Sequence, residues 1–150
     1  MVAAGAGQSC EHRGMQDEEA TGPADEERET AYELLQRGQA LLQRRHNAQA
    51  AVVLERAAVL EPGRGSILEA LGRALFNSGS HRRALEVFEA LLEVDPSSAY
   101  GQFALAQSLR KVGRGHEAVV HLRLACALEP ASTIYRGALE RAILASPPRD

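Results

Sequence analysis

The chain has no tryptophan, and only three tyrosines and three phenylalanines in 150 residues. Large rings therefore cannot fill a core. Small and aliphatic side chains must do so, which suits helices that approach closely. Cysteine is equally scarce. Cys10 and Cys126 lie far apart, which is neither a disulfide framework nor a zinc spacing, and a reducing, cytoplasmic compartment is expected. No apolar run approaches the roughly 18 residues of a membrane helix, so no membrane span is expected. The first residues lack a leading Arg or Lys and a true apolar stretch, so no signal peptide is expected either. Lysine is almost missing, with Lys111 the single one among 17 basic residues. The net charge of -3 contains no strongly basic stripe, which excludes a nucleic-acid footprint. The acids are concentrated instead in residues 1–28. That segment holds Glu11, Asp17, Glu18, Glu19, Asp25, Glu26 and Glu27 against Arg13 and Arg28, and it has almost no apolar periodicity. It cannot bury enough surface to offset its ordering entropy and is expected to be a disordered, solvated tail.

What the sequence does have is a period. Pro62, Pro96 and Pro130 recur every 34 residues, each after a similar pair: Leu60-Glu61, Val94-Asp95, Leu128-Glu129. Ala50, Ala84 and Ala118 keep the same spacing. A fixed period of this size marks stacked supersecondary units, and it favours a binding surface over a catalytic pocket. Three contiguous units run over 31–64, 65–98 and 99–132. The first divides into helices over about 31–44 and 47–60, with Pro62 ending the unit because proline cannot continue a helix. Asn77-Ser78-Gly79-Ser80 breaks the second unit, and Gly113 with Gly115 breaks the third. A last helix over about 133–145 carries Arg136, Glu140 and Arg141 beside Ile134, Leu139 and Ile143, the mixed face that a terminal cap requires. The repeat domain thus spans 29–146, followed by a tail at 147–150.

The units resemble the tetratricopeptide repeat family, whose pattern is W-x2-L-G-x2-Y, then A-x3-F, then P. The L-G step is Leu71-Gly72 in the second unit, Arg37-Gly38 in the first and Leu105-Ala106 in the third. The Y position holds Leu41, Leu75 and Leu109, and the A-x3-F pair is Ala50/Leu54, Ala84/Phe88 and Ala118/Leu122. The Trp position holds Leu34, Leu68 and Gln102. Most departures replace an aromatic residue with leucine and keep the site apolar. The resemblance implies an all-α, right-handed α-solenoid of three helix-turn-helix repeats plus a C-terminal capping helix.

It also implies a concave groove on the first helices. In that register the groove presents Tyr32, Leu35 and Gln39, then Glu69, Arg73, Phe76 and Asn77, then Tyr100, Phe103, Gln107, Arg110 and Lys111, with Arg141 from the last helix. Aromatic and arginine side chains dominate binding hot spots, so these are the candidate peptide contacts; padding between helices is the alternative for Tyr100 and Phe103. Some family members clamp the C-terminal carboxylate of chaperone tails through Lys, Asn, Asn, Lys and Arg. The matching positions here are Leu35, Gln39, Ala70, Tyr100 and Ala104, which contain no cation. A chaperone-tail role is therefore not expected. Arg73, Arg110, Lys111 and Arg141 instead favour an acidic or mixed apolar segment. Asp17–Glu27 could serve as a self-ligand or remain a free tail.

No phosphate loop, serine elbow or paired catalytic carboxylate occurs, and no base accompanies Cys126, so neither an enzyme nor a cofactor is expected. His46, His81 and His116 are 35 apart, one more than the repeat, and read as solvated turn residues rather than metal ligands. Glu86, Glu89 and Glu93 read as a water-facing stripe. The expected function is a non-catalytic adaptor holding a peptide segment or a partner's helix. The alternative is a structural subunit that self-associates through the stack ends or the convex face.

Overall fold

The computed structural model describes residues 29–147. The chain divides into two units, Met1–Thr30 and Ala31–Asp150. The expected disordered tail lies outside the described residues, apart from Glu29 and Thr30, which belong to the first unit and are not helical. The second unit is built from seven helices and no strands among the described residues: α1 (Ala31–Gln43), α2 (Asn47–Leu60), α3 (Gly65–Asn77), α4 (His81–Val94), α5 (Ala99–Lys111), α6 (Gly115–Leu128) and α7 (Thr133–Ala145). The odd-numbered helices start 34 residues apart, at 31, 65, 99 and 133.

Packing follows that order. α1 packs on α2, α3 on α4 and α5 on α6; α2 then packs on α3, α4 on α5 and α6 on α7. The first helices also touch each other, α1 beside α3 and α3 beside α5. The result is an all-α helical solenoid with a main core cluster drawn from all seven helices and a smaller one around Ala99, Ala125 and Tyr135.

The periodic small residues explain the close approach within each pair. Ala50, Ala84 and Ala118 are wholly buried. Opposite them, Gly38 faces Leu54 and Gly72 faces Phe88. A Cβ built on Gly72 would stand 2.4 Å from the Phe88 ring, and one on Gly38 would stand 2.5 Å from Leu54. The third pair uses Ala106 with Leu122, both fully buried. Gln102 occupies the site of Leu34 and Leu68 without loss of packing. His121, standing where the other units have Val53 and Val87, meets it with Nδ1 2.8 Å from Gln102 Oε1. A polar pair shared by two helices thus replaces an apolar pair.

Three turns set the register inside the units. Arg45, Gly79 and Gly113 occupy equivalent places, and all have positive φ, at 61°, 90° and 86°. In each turn the next amide bonds a carbonyl five residues back: His46 to Leu41, Ser80 to Leu75 and Arg114 to Leu109. This closes the helix end in the Schellman manner. The sequence signal in the first turn is weaker because arginine stands where glycine fits. α1 ends at Gln43, one residue before the end expected from periodicity and in register with the ends of α3 and α5 at Asn77 and Lys111. Between units, Ser98 Oγ accepts from Gly101 N at 2.9 Å, and Ser132 Oγ accepts from Tyr135 N at 3.2 Å, capping α5 and α7. Pro62, Pro96 and Pro130 are exposed just past the preceding helix ends.

Candidate functional site

The helix register brings eight of the expected groove residues together. Arg73, Phe76 and Asn77 from α3 and Tyr100, Phe103 and Gln107 from α5 line one cavity of about 290 Å³. Phe88 of α4 and Ala104 complete it. A second cavity, of about 690 Å³, shares Phe76 and Gln107 with the first and continues over Arg110, Lys111, Gly113, Gly115, Ala145 and Ser146. The two form one trough from the middle of the stack to the end of α7. The remaining expected residues line neither of these cavities. Tyr32 is exposed, its hydroxyl accepting from Gln36 Nε2 at 2.8 Å. Gln39 and Arg141 are exposed, and Glu69 is half-buried. Leu35 differs from the expectation of a presented side chain: it is buried as a member of the core cluster, where an apolar side chain gains most by leaving water.

Aromatic rings connect the floor of the trough. Phe88 and Tyr100 meet edge-on at 6.3 Å between centroids, Tyr100 and Phe103 lie at 6.5 Å, and Phe103 and Tyr135 at 5.0 Å. Tyr135 packs with Ala99 and Ala125, and Phe103 leans on that cluster. Tyr100 and Phe103 therefore both pad the interhelical space and line the cavity. Burial pushes the Tyr100 hydroxyl up to about 12, with Glu69 and Tyr135 adding to the rise and Arg73 opposing it. Tyr100 is thus a neutral donor at ordinary pH. Burial also raises Tyr135.

The charges divide by face. Arg64, Arg83 and Arg114 are paired with Glu61, Glu55 and Glu117. Among the described residues no carboxylate lies within 4.0 Å of Arg73, Arg110, Lys111 or Arg141. Arg110 Nη1 donates to Gln107 Oε1 at 3.3 Å. Among the described residues the cations of the trough thus have no carboxylate partner, and Glu86, Glu89 and Glu93 are exposed on α4.

Among the described residues no group of three or more His, Cys, Asp or Glu side chains converges as a metal site. His46 and His116 are exposed. His81 departs from the expected solvated turn residue. It is half-buried and edge-on to Phe76 at 4.8 Å, bracing a ring that lines both cavities. Cys126 is half-buried against the Tyr135 cluster.

The groove expected from the sequence leaves out three further residues on or beside this face. Phe88 occupies a core position of the repeat, yet one edge of its ring reaches the cavity. Ile134 and Leu144 are exposed on α7 at the positions of Tyr100 and Arg110 one period later. Adding 34 to the groove positions Tyr100 and Arg110 finds Ile134 and Leu144, but no such step finds Phe88.

A family model described as tetratricopeptide repeat matches residues 35–81 and 69–133. No curated protein sequence matches. Among solved structures, MamA residues 41 to end from Desulfovibrio magneticus RS-1 is similar at a TM-score of 0.76 and 21% identity, over 96% of this chain and 83% of that one. The Sgt2 TPR domain from Aspergillus fumigatus is similar at 0.71 and 22%, over 80% and 86%. The first TPR of Spaghetti (RPAP3), bound to the HSP90 peptide SRMEEVD, is similar at 0.74 and 15%, over 78% and 94%. At these identities the structural likeness concerns the fold.

Proposed function

Because the chain belongs to the tetratricopeptide repeat family, we propose that it is a non-catalytic interaction module whose trough holds a segment of a partner protein. The observation that carries this reading is the cavity between α3 and α5, walled by aromatic rings and edged by Arg73, which no carboxylate among the described residues approaches within 4.0 Å. The cavity opens into the neighbouring one of about 690 Å³, and the continuous trough has room for a segment of chain with its side chains. Arg110 and Lys111 farther along favour an acidic segment. The Spaghetti domain holds a short acidic peptide on the same fold. This chain lacks cations at Leu35, Gln39, Ala70, Tyr100 and Ala104, so the chaperone-tail mode does not carry over. Two cysteines far apart in sequence, with no disulfide framework, are consistent with work in a reducing compartment such as the cytoplasm.

Affinity capture with the intact protein and with an Arg73→Glu/Phe103→Ala variant tests the proposal. Melting both first establishes that the variant is folded. Partners retained by the intact protein and lost from the folded variant are trough ligands; survival of every partner ends the reading.

A second reading, self-association, draws on the exposed Val52 and Val59 of α2 and Val120 and Leu124 of α6. Sedimentation at several concentrations separates the two: a monomer with an open trough supports the module, and a tight dimer supports the structural role.

A further inference from the structure

The last helix presents an apolar ridge that internal packing does not account for. Ile134, Gly137, Arg141 and Leu144 stand one period after Tyr100, Phe103, Gln107 and Arg110, so they share the face that lines the trough. They also recur at i, i+3, i+7 and i+10 of one helix, a single face about 15 Å long at about 1.5 Å per residue. Ile134 is 66% exposed and Leu144 83%. Gly137 sits between them in mid-helix, where glycine weakens a helix. No close neighbour demands it. A Cβ there would meet only the Arg141 guanidinium, at 3.2 Å, the tip of a flexible side chain. Compare Gly72, where a rigid ring blocks any Cβ at 2.4 Å. Two apolar knobs flank a half-buried glycine covered only by the flexible Arg141 guanidinium, and once that side chain swings to a carboxylate the relief accepts another helix packed along the axis. An extended chain crossing the helices would touch α7 at one level and leave most of this ridge uncovered.

We infer that α7 is a docking ledge for one acidic amphipathic α-helix of a partner protein, lying along Ile134, Gly137 and Leu144. Its carboxylates meet Arg141 on the ledge and Arg110 and Lys111 on the neighbouring wall, cations that no described carboxylate approaches within 4.0 Å. The ledge rests on the reading of this face as an interaction surface and specifies the form and charge of what it takes.

The test titrates the full chain with a synthetic amphipathic peptide of about 14 residues, leucines on one face and glutamates beside them, while amide shifts and binding heat are recorded. The ledge predicts shifts centred on Gly137 and Leu144, and an affinity reduced about tenfold or more by Leu144→Asp. Gly137→Leu, which fills the hole without touching the core, weakens binding as much while leaving the fold intact. A proline-interrupted peptide and a lysine-for-glutamate peptide should both fail to bind. Equal binding by either control overturns the proposal, as does Leu144→Asp with no effect. If Leu144→Asp turns a wild-type dimer into a monomer, the occupant is a second copy and the proposal is also overturned. Should peptide binding survive both α7 variants but vanish in Phe103→Ala, the ledge fails and the trough stands. Loss on Leu144→Asp with Phe103→Ala unaffected keeps the ledge and fails the trough.

Discussion

Replacing Gly72 with alanine sets two well-known effects against each other. In an exposed helix the change stabilises by about 1 kcal/mol, because glycine is the poorer helix former. Here the added Cβ would fall 2.4, 2.6 and 2.8 Å from three atoms of the Phe88 ring. That ring is almost wholly buried and cannot swing aside as a flexible side chain would. Overpacking of this kind costs about 1–3 kcal/mol. With α3 and α4 forced apart, the upper part of that range applies, and the net loss is about 1–2 kcal/mol. For a domain of this size the melting midpoint should fall by about 4–8 °C. Phe88→Leu alone should also destabilise, through the cavity left behind. The double variant recreates the Ala106/Leu122 pair that the third unit already uses. It should therefore be more stable than the sum of its parts, with a coupling of about 0.5–3 kcal/mol. Thermal and urea melts followed by helical circular dichroism on all four proteins close the cycle. A higher midpoint for Gly72→Ala, or strict additivity in the double variant, would refute the claim that this contact sets the spacing of the pair.

Other outcomes follow from the turns and the polar pair. Arg45→Gly relieves a left-handed arginine, a conformation costing about 1–2 kcal/mol, so after the extra unfolded-state entropy of glycine the midpoint should rise by a few degrees; a fall would contradict the positive φ. Burial lowers the His121 pKa, with Glu117 and Glu89 opposing. Its folded state favours the neutral ring, so its contribution is present above the ordinary imidazole pKa near 6.5 and is lost as pH falls through the lowered folded value. Melts taken between about pH 7 and 5 should slope less steeply in His121→Gln than in the wild type, and parallel curves would remove His121 as the source. Gln102→Leu restores the residue type of the other units but leaves His121 facing an apolar side chain; it should gain stability only when joined to His121→Val.

The fold was legible because its cause is periodic. Small residues at Gly38, Gly72 and Ala106 and at Ala50, Ala84 and Ala118 must recur wherever helices touch, so the core printed itself on the sequence at a spacing of 34. The first turn was less legible, since Arg45 gives no sign of the conformation that Gly79 and Gly113 announce. The candidate site was legible in outline. The same spacing gathered Arg73, Phe76, Tyr100, Phe103 and Gln107 around one cavity. It did not reveal that Phe88 serves both core and cavity, because a core position ordinarily hides its whole side chain. Nor did it reveal that Gln102 is stabilised by His121, a partner on another helix whose distance no one-dimensional pattern encodes. Leu35 was misjudged for the converse reason: at the first helix of the stack, a groove register does not separate a presented leucine from one turned into the core.

The central claim is that the trough between α3, α5 and α7 is the working face. A photo-crosslinking residue placed at Gln107, which lines both cavities, and separately at Glu86, exposed on α4, tests it most directly. With both variants folded and each exposed to the same cell extract, the account predicts a discrete covalent adduct from position 107 that Arg73→Glu/Phe103→Ala abolishes, and none from position 86. An adduct formed from position 86 alone, or one at 107 indifferent to those substitutions, would contradict it.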